Sequence, residues 1–264
     1  MNHYCNTAKT IYAFLQRDWL IYKASFIDKC INYGLLWPII FGFSFGVLRK
    51  NILFSANPDP YFGSIVLVGS VVAPMMIIAY STTFDLMFDL ESKKHVLFQS
   101  LILNPAYVLL EKWLFASIYT FLITILFFPS MQLILKNHFI IQNHDWISLI
   151  IFMFLACCAM CSLQQMCALF LKIPNLYSFS IRFNSVLMNM GGTLFITSPL
   201  LSIPYIGLIF FFNPILHITE GIRGILYTNA NVIPFKICCI YLISVIFVTT
   251  YVSFIQFKKR TDHL

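Results

Sequence analysis

An acidic and a basic side chain stand close together just after the longest uncharged stretch of the chain. Glu220 and Arg223 are three residues apart, so on a helix they would be neighbours. Five residues separate them from an Asn213-Pro214 step. An exposed pair of this kind is worth under about 1 kcal/mol, but beside a bilayer either charge alone is costly to desolvate. The spacing therefore predicts an ion pair that anchors a segment at a membrane boundary. A loop pair that only sets the position of that boundary is the alternative.

A second candidate site is the charged segment between the second and third long apolar stretches. Its charged residues come first, and leucines follow before a proline, which predicts a short amphipathic helix that ends at that proline. Such a helix would present a neighbouring protein with an apolar surface bordered by charges. An ordinary solvated loop is the alternative. The residues that carry the first interpretation are Asp89, Glu91, Lys93, Lys94, Leu97, Leu101 and Pro105.

The motifs of several catalytic and metal-binding classes are missing from the sequence. It has no Gly-rich loop ending in Gly-Lys-Ser or Gly-Lys-Thr, which would bind nucleotide phosphates, and no His-Glu-x-x-His zinc motif. The six His are dispersed, and six of the eight Cys fall in two apolar stretches, where they are typical of small side chains that pack between helices. We therefore expect that the chain is not an enzyme and binds no cofactor of its own.

The amino-acid composition indicates that these segments fold in a lipid bilayer and not in water. Of the 264 residues, 59% are hydrophobic and 10% are charged, against about 25% charged residues in a soluble domain. The mean hydropathy is +0.82. A soluble protein of this size could not cover so much apolar surface. The 17 Lys and Arg are scattered between apolar stretches, which argues against a nucleic-acid partner and indicates contact with membrane lipid.

A transmembrane helix needs about 20 mainly apolar residues. Five stretches reach that length without Asp, Glu, Lys or Arg, and the sequence therefore predicts an all-α integral membrane protein. These stretches are residues 30–48, 61–84, 113–135, 146–171 and 237–257.

The 37 uncharged residues from 183 to 219 fit neither one span nor two. Pro199, Pro204 and Pro214 interrupt them. We expect one span over residues 183–197, then a helix broken near Pro199 and Pro204 that enters the membrane and returns before the last span. Such backbone is tolerated where it is buried in protein or lines a cavity. The prediction is thus six transmembrane helices with a re-entrant outer segment.

Six spans place both termini on one side of the membrane. Twelve Lys and Arg fall on that side and five on the other. Because cytoplasmic loops carry the excess of basic residues, both termini are predicted to be cytoplasmic and the protein to lie in the cytoplasmic (inner) membrane.

The chain before the first span is predicted to be an amphipathic interfacial helix. Residues 1–25 would form this helix, residues 26–257 the six-span core and residues 258–264 a cytoplasmic tail. Asp18 interrupts the apolar face of the helix. That face carries Ile11, Phe14, Leu15 and Tyr22, and the polar face carries Lys9, Gln16 and Lys23.

In these motifs the sequence resembles the permeases of type-2 ATP-binding-cassette (ABC) transporters. The sharpest match is Asn213-Pro214, five residues, Glu220, two residues and Arg223 before the last span. The segment that ends at Asn104-Pro105 is similar to the cytoplasmic loop of that family. The order of the features is also similar, so the resemblance covers nearly the whole chain.

The resemblance implies the membrane-spanning permease subunit of an ATP-driven exporter. Two permease chains, identical or different, would work with ABC ATPase subunits on a separate polypeptide, which would bind the ATP and Mg. The helix around Glu91 to Ser100, in the loop from Asp89 to Ser100, would seat in a groove on the ATPase, and the N-terminal amphipathic helix would share that contact. The outer gate would contain Pro199, Pro204, Asn213, Pro214, Glu220 and Arg223.

The substrate stays open, because the sequence departs from the family pattern. His95-Val96-Leu97 stands where the family often has Gly-Thr before paired leucines. Family substrates include drugs, lipids and polysaccharides or their lipid-linked precursors. Two other functions are a stand-alone membrane enzyme of the acyl- or prenyltransferase type and a scaffold without transport. An enzyme would need clustered His, Asp or Glu at the membrane face, where only Asp85, Asp89 and Glu91 cluster.

Overall fold

The computed structural model describes residues 2–44, 62–92, 104–135, 141–143, 145–193, 201, 203, 205–227 and 233–261. All regular structure in these ranges is helical, as the sequence predicts. In chain order the helices are α1 (Asn2–Lys29), a π-helix (Cys30–Leu36), α2 (Trp37–Phe41), α3 (Phe62–Gly69), α4 (Val72–Ser92), α5 (Pro105–Thr124), α6 (Phe127–Leu135), α7 (Trp146–Phe170), α8 (Ile173–Met190), α9 (Ile206–Phe211), α10 (Pro214–Leu226) and α11 (Phe235–Thr261).

Four helical stretches of the described chain are long and apolar enough to cross a membrane. They correspond to the second, third, fourth and last of the predicted spans, so the structure supports a membrane-embedded helical protein. The first and fifth predicted spans are not among them, and the number six stays a prediction. The four stretches are Leu67–Asp85, Ala106–Leu133, Trp146–Phe170 and Phe235–Arg260.

Helix α7 lies at the centre of the described bundle and packs against α4, α5, α10 and α11. Its cysteines are buried free thiols. Cys157 Sγ lies 3.6 Å from the hydroxyl oxygen of Thr124, and Cys161 Sγ lies 3.6 Å from that of Thr120, so these small side chains pack directly on α5. This confirms the interpretation of the cysteine cluster as packing between helices.

Helix α1 has the two faces that the sequence predicts. The predicted apolar residues pack against buried side chains of α4, α5, α7 and α11, whereas Lys9, Gln16 and Lys23 are exposed. The apolar face is thus covered by the protein itself. The helix also extends beyond residue 25, because it runs to Lys29 and continues without interruption through the π-helix into α2.

The π-helix between α1 and α2 follows from Pro38. Proline has no amide hydrogen, so the carbonyl of Gly34 loses its α-helical donor. The chain widens there, and the amide of Trp37 bonds the carbonyl of Asn32, five residues earlier. The hydroxyl of Ser130 on α6 lies 2.7 Å from the Gly34 carbonyl oxygen and 2.6 Å from the Leu126 carbonyl oxygen, so its single hydrogen is shared between the two acceptors. The Ser130 hydroxyl therefore connects this irregular part of the helix to α6.

The span predicted over residues 183–197 overlaps α8, which begins ten residues earlier at Ile173 and ends at Met190. Helix α8 is not among the four membrane-compatible stretches, so this span stays a prediction. The helix stops at Met190 because glycines follow, and Gly192 has a φ of 67°, which side-chain-bearing residues rarely adopt. The carbonyl of Gly192 is thereby turned away from the helix.

Two further helices lie within the described residues from 205 to 227. Helix α9 is a single short piece that begins after Tyr205, whose φ is 64°, and α10 follows after Asn213. Pro199 and Pro204 lie outside the described residues. The re-entrant break at these prolines therefore stays a prediction.

Candidate functional site

The Asn213-Pro214 step is the start of α10. Asn213 Oδ1 accepts a hydrogen bond from the amide of Ile215 at 3.0 Å, and Pro214 occupies the first helical position, where its missing amide hydrogen costs nothing. Asn213 Nδ2 also donates to the carbonyl of Leu187 on α8 at 2.7 Å. The motif thus starts one helix and fixes it to another.

Glu220 and Arg223 form an ion pair on α10, which confirms the predicted pairing. Arg223 Nη1 lies 3.0 Å from Glu220 Oε1, and both side chains have 0% solvent exposure within the protein. The pair is therefore inside the protein and not in a surface loop. Removing one partner of such a buried pair costs about 3–5 kcal/mol, since the other charge is left without compensation.

Arg223 also connects α10 to two other parts of the bundle. Its Nε donates to the carbonyl of Ile65 on α3 at 3.1 Å, and its Nη2 donates to the carbonyl of Gly192 at 2.7 Å. Gly69 makes room for this crossing, because a Cβ there would lie 2.6 Å from the Thr193 carbonyl oxygen. One guanidinium therefore holds together α3, α10 and the end of α8.

Two more polar contacts fix α10 in place. The hydroxyl of Thr219 donates to the carbonyl of Gly191 at 2.8 Å. The ring of His217 stacks on Tyr241 of α11 with 3.8 Å between the ring centroids, and His217 Nε2 lies 2.7 Å from the carbonyl oxygen of Phe211. Helix α10 is consequently bound to the short helix before it and to the last helix after it.

The predicted ATPase contact falls mostly outside the described residues. The residues of that contact outside the described ranges are Lys93, Lys94, Leu97 and Leu101. Two residues of the predicted gate, Pro199 and Pro204, are also outside these ranges. Asp89 and Glu91 are on the last turns of α4, which runs to Ser92, so the charged segment begins as a continuation of a predicted span. Pro105 opens α5, where the Asn104 side chain accepts from the amide of Ala106 at 3.0 Å.

A buried charge cluster between α1 and α5 was not predicted from the sequence. Asp18 is 2% exposed. One of its carboxylate oxygens lies 2.6 Å from Arg17 Nη2 and the other lies 2.5 Å from Lys112 Nζ. The carboxylate of Glu111, which is fully buried, lies 4.0 Å from the same Lys112 nitrogen. The cluster joins the N-terminal helix to the third predicted span.

The sequence carried one signal for this cluster. Asp18 interrupts the apolar face of α1, and a carboxylate in that position needs a buried cation as its partner. Lys112 is 94 residues away, however, and sequence spacing alone does not identify it. Glu111 and Lys112 lie just before the third span as predicted, whereas the membrane-compatible stretch in the structure begins at Ala106 and includes both.

Neither site resembles a metal centre. Among the residues that the structure describes, no three His, Cys, Asp or Glu side chains are grouped so that they could hold a metal ion. Comparisons of the chain with known protein families, with characterised proteins and with solved structures found no match.

Proposed function

We propose that the chain is the membrane-spanning permease subunit of an ATP-driven exporter of the ABC type. The observation that carries this proposal is the Asn213-Pro214, Glu220, Arg223 motif. In the structure these residues cap one helix, form a fully buried ion pair and connect three parts of a membrane-compatible bundle. A motif with this spacing and these contacts supports the permease resemblance better than a loop that only marks a membrane boundary.

The grouping of helix ends supports spans that alternate in direction, and the excess of Lys and Arg assigns the side of the termini to the cytoplasm in the proposed six-span topology. Asp18 contacts Lys112, and Tyr22 donates a hydrogen bond to Asp85, so the helix before the first predicted span meets the start of the third and the end of the second. Arg223 joins the start of the second to the end of the fifth. Spans that alternate in direction bring together these two sets of ends at opposite faces of the membrane.

The proposed mechanism assigns ATP hydrolysis to a separate polypeptide. Two permease chains, as a homodimer or a heterodimer, bind two ATPase subunits that hold ATP and Mg. Closure of the ATPase pair on ATP pushes on the segment from Asp89 to Pro105, and α1 shares that contact. The movement opens an outer gate at residues 199–223, and a drug, lipid or polysaccharide-type substrate passes between the two permeases.

The proposal is tested by co-purification of the tagged full-length chain from membranes in mild detergent. We expect an ATPase with a P-loop to purify with it in equal amount and to hydrolyse ATP. The charge reversal Glu91→Lys is expected to lower the bound ATPase and substrate export together, while membrane insertion is unchanged. Lys236→Glu, at an exposed position on the opposite face of the proposed topology, is the matched control and should behave like the unmodified chain.

Two results would contradict the proposal at different levels. A chain that purifies without any ATPase and supports no ATP hydrolysis is not a permease of this class. If the ATPase is bound but Glu91→Lys exports normally, the coupling assignment alone is wrong, and α1 becomes the next contact to test.

A further inference from the structure

A cavity of about 390 Å³ lies between α1, α4, α5 and α7, beside the contact between Asp18 and Lys112. Ligand pockets in proteins typically measure about 300–1,000 Å³, so this cavity has room for a small ligand or a headgroup. No part of the proposed transport mechanism uses it. The helices around the cavity are mainly apolar, but its wall contains charged side chains. These are Arg17, Asp18, Lys29, Asp85 and Lys112.

The basic side chains of the cavity wall differ in whether a carboxylate lies at ion-pair distance from them. Asp18 lies between Arg17 and Lys112 at ion-pair distance from both. Within the described residues, Lys29 has no carboxylate at ion-pair distance. Its ammonium lies 3.4 Å from the hydroxyl of Ser81 and faces the rings of two tyrosines, Tyr22 and Tyr119.

The surroundings of Lys29 favour an anionic ligand. Partial burial lowers the pKa of Lys29, and the charge of Asp85 opposes that shift. An anion beside the ammonium would stabilise its charged form further. The hydroxyls of Tyr22 and Ser25 also line the cavity, but they donate to Asp85 and to the Tyr22 carbonyl, so the ammonium of Lys29 is the group that would meet an anion. Lysine is a common phosphate ligand that acts as a point charge.

The lining of the cavity also includes exposed apolar side chains. Ile21 and Phe88 are 62% and 50% exposed. In a membrane-embedded chain such side chains can contact an acyl chain. A half-buried ammonium and exposed apolar side chains in one cavity together fit an amphiphile that has a phosphate in its headgroup.

We propose that this cavity binds the phosphate of a membrane phospholipid, with Lys29 as the principal contact and Ile21 and Phe88 against the acyl chains. The bound lipid would stabilise the packing of α1 on the bundle, because the ligand contacts α1 and α4 together. This inference does not depend on the ATPase partner or on transport.

The test uses the purified full-length chain in detergent and follows its thermal unfolding. Dioctanoyl phosphatidylglycerol is the probe, dioctanoylglycerol is the same amphiphile without phosphate, and inorganic phosphate is the anion without acyl chains. We expect saturable stabilisation by the first only. Lys29→Gln should weaken the apparent affinity at least about tenfold, as expected when a charge-assisted phosphate contact is lost. Lys23→Gln, an exposed lysine on the same helix, should bind as the unmodified chain does.

A variant with the opposite expected sign makes the test independent of whether Lys29→Gln folds. Asp85→Asn removes a carboxylate from the wall and should tighten phosphatidylglycerol binding severalfold. Unchanged or weaker binding by Asp85→Asn overturns the proposal, as does normal binding by Lys29→Gln. Equal stabilisation by dioctanoylglycerol would exclude recognition of the phosphate. Stabilisation by inorganic phosphate alone that equals that by phosphatidylglycerol would assign the cavity to a free anion and overturn the role of the acyl chains.

Discussion

At the scale of single residues, Arg223 does more than form an ion pair with Glu220. Its guanidinium donates to Glu220 and to the carbonyls of Ile65 and Gly192. Two of these acceptors are therefore backbone atoms of other elements, which are present whatever residue stands at position 220. From spacing alone the two charges look interchangeable. In the structure they are not, because a carboxylate at position 223 would face two carbonyl oxygens.

We predict that the two members of the pair differ in their effect on stability. Arg223→Gln should lower the free energy of unfolding by about 3–5 kcal/mol, because Glu220 is left buried without its cation. Glu220→Gln should cost less, since Arg223 keeps both carbonyl acceptors. Exchange of the two charges should fail to restore stability. Unfolding of the purified chain in detergent measures all three.

The control for this prediction is Arg182→Gln, which removes an exposed arginine from α8 and should change stability by less than about 0.5 kcal/mol. If the exchanged pair is as stable as the original, the two backbone contacts of Arg223 contribute little, and the pair acts through its charges alone.

At the scale of elements, interhelical hydrogen bonds hold the bundle together at points where helices are irregular. The clearest example is the bond from the Ser130 hydroxyl to the Gly34 carbonyl at the π-helix. Gly34 is also closely packed, since a Cβ there would lie 3.1 Å from Leu126 Cβ. Pro38 and Gly34, four residues apart, thus form one interhelical contact with Ser130, which lies 96 residues from the glycine.

We predict that Ser130→Ala lowers the free energy of unfolding by about 1–2 kcal/mol, because it removes a hydroxyl that bonds the buried Gly34 carbonyl across the helix contact as well as the Leu126 carbonyl. The matched control is Ser162→Ala. The Ser162 hydroxyl is also fully buried, but it donates at 2.9 Å to Ala159 of its own helix, a type of bond that contributes little to helix stability. Equal losses of unfolding free energy in the two variants would show that the contact between Ser130 and Gly34 adds no stability beyond that of a hydroxyl bonded within its own helix. Denaturation in detergent, followed by circular dichroism, compares them.

The sequence predicted helix faces better than helix ends. The spacing of Ile11, Phe14, Leu15 and Tyr22 gave the packed face of α1, because side-chain direction on a helix follows from periodicity. The end of α8 at Met190 depends on Gly192, whose left-handed conformation no apolar pattern records. Contacts such as Asp18 with Lys112 depend on tertiary packing and were not predictable from spacing within one segment.

At the scale of the whole molecule, the amino-acid composition was sufficient to predict the class of the protein, which is a helical membrane protein. Four helices of the described chain are long and apolar enough for a bilayer, as a composition with 10% charged residues requires. The motif from Asn213 to Arg223 was predictable as a local ion pair, because its partners lie on one helix turn. Its connections to Ile65 and Gly192 were not, since they join segments whose proximity is a property of the complete bundle.

We predict that reporter fusions will place Asn143 outside the cytoplasm and the C-terminus inside it. Asn143 precedes α7, and its amide bonds the carbonyl of Leu226 at 3.0 Å, so it belongs to the same end of the bundle as α10. A fusion at Asn57 should give the same result as that at Asn143. A cytoplasmic signal at Asn143 would contradict the proposed topology and, with it, the outer position of Glu220 and Arg223.

The uninterrupted course from α1 into α2 has a mechanical consequence. This course is clamped at Asp18 by Lys112 and at Gly34 by Ser130, and the two points are 16 residues apart, or about 24 Å along the axis at 1.5 Å per residue. A rod held at two such points cannot swing about either of them alone. A force on the N-terminal part of α1 is therefore transmitted as a turning moment to α5 and α6 together.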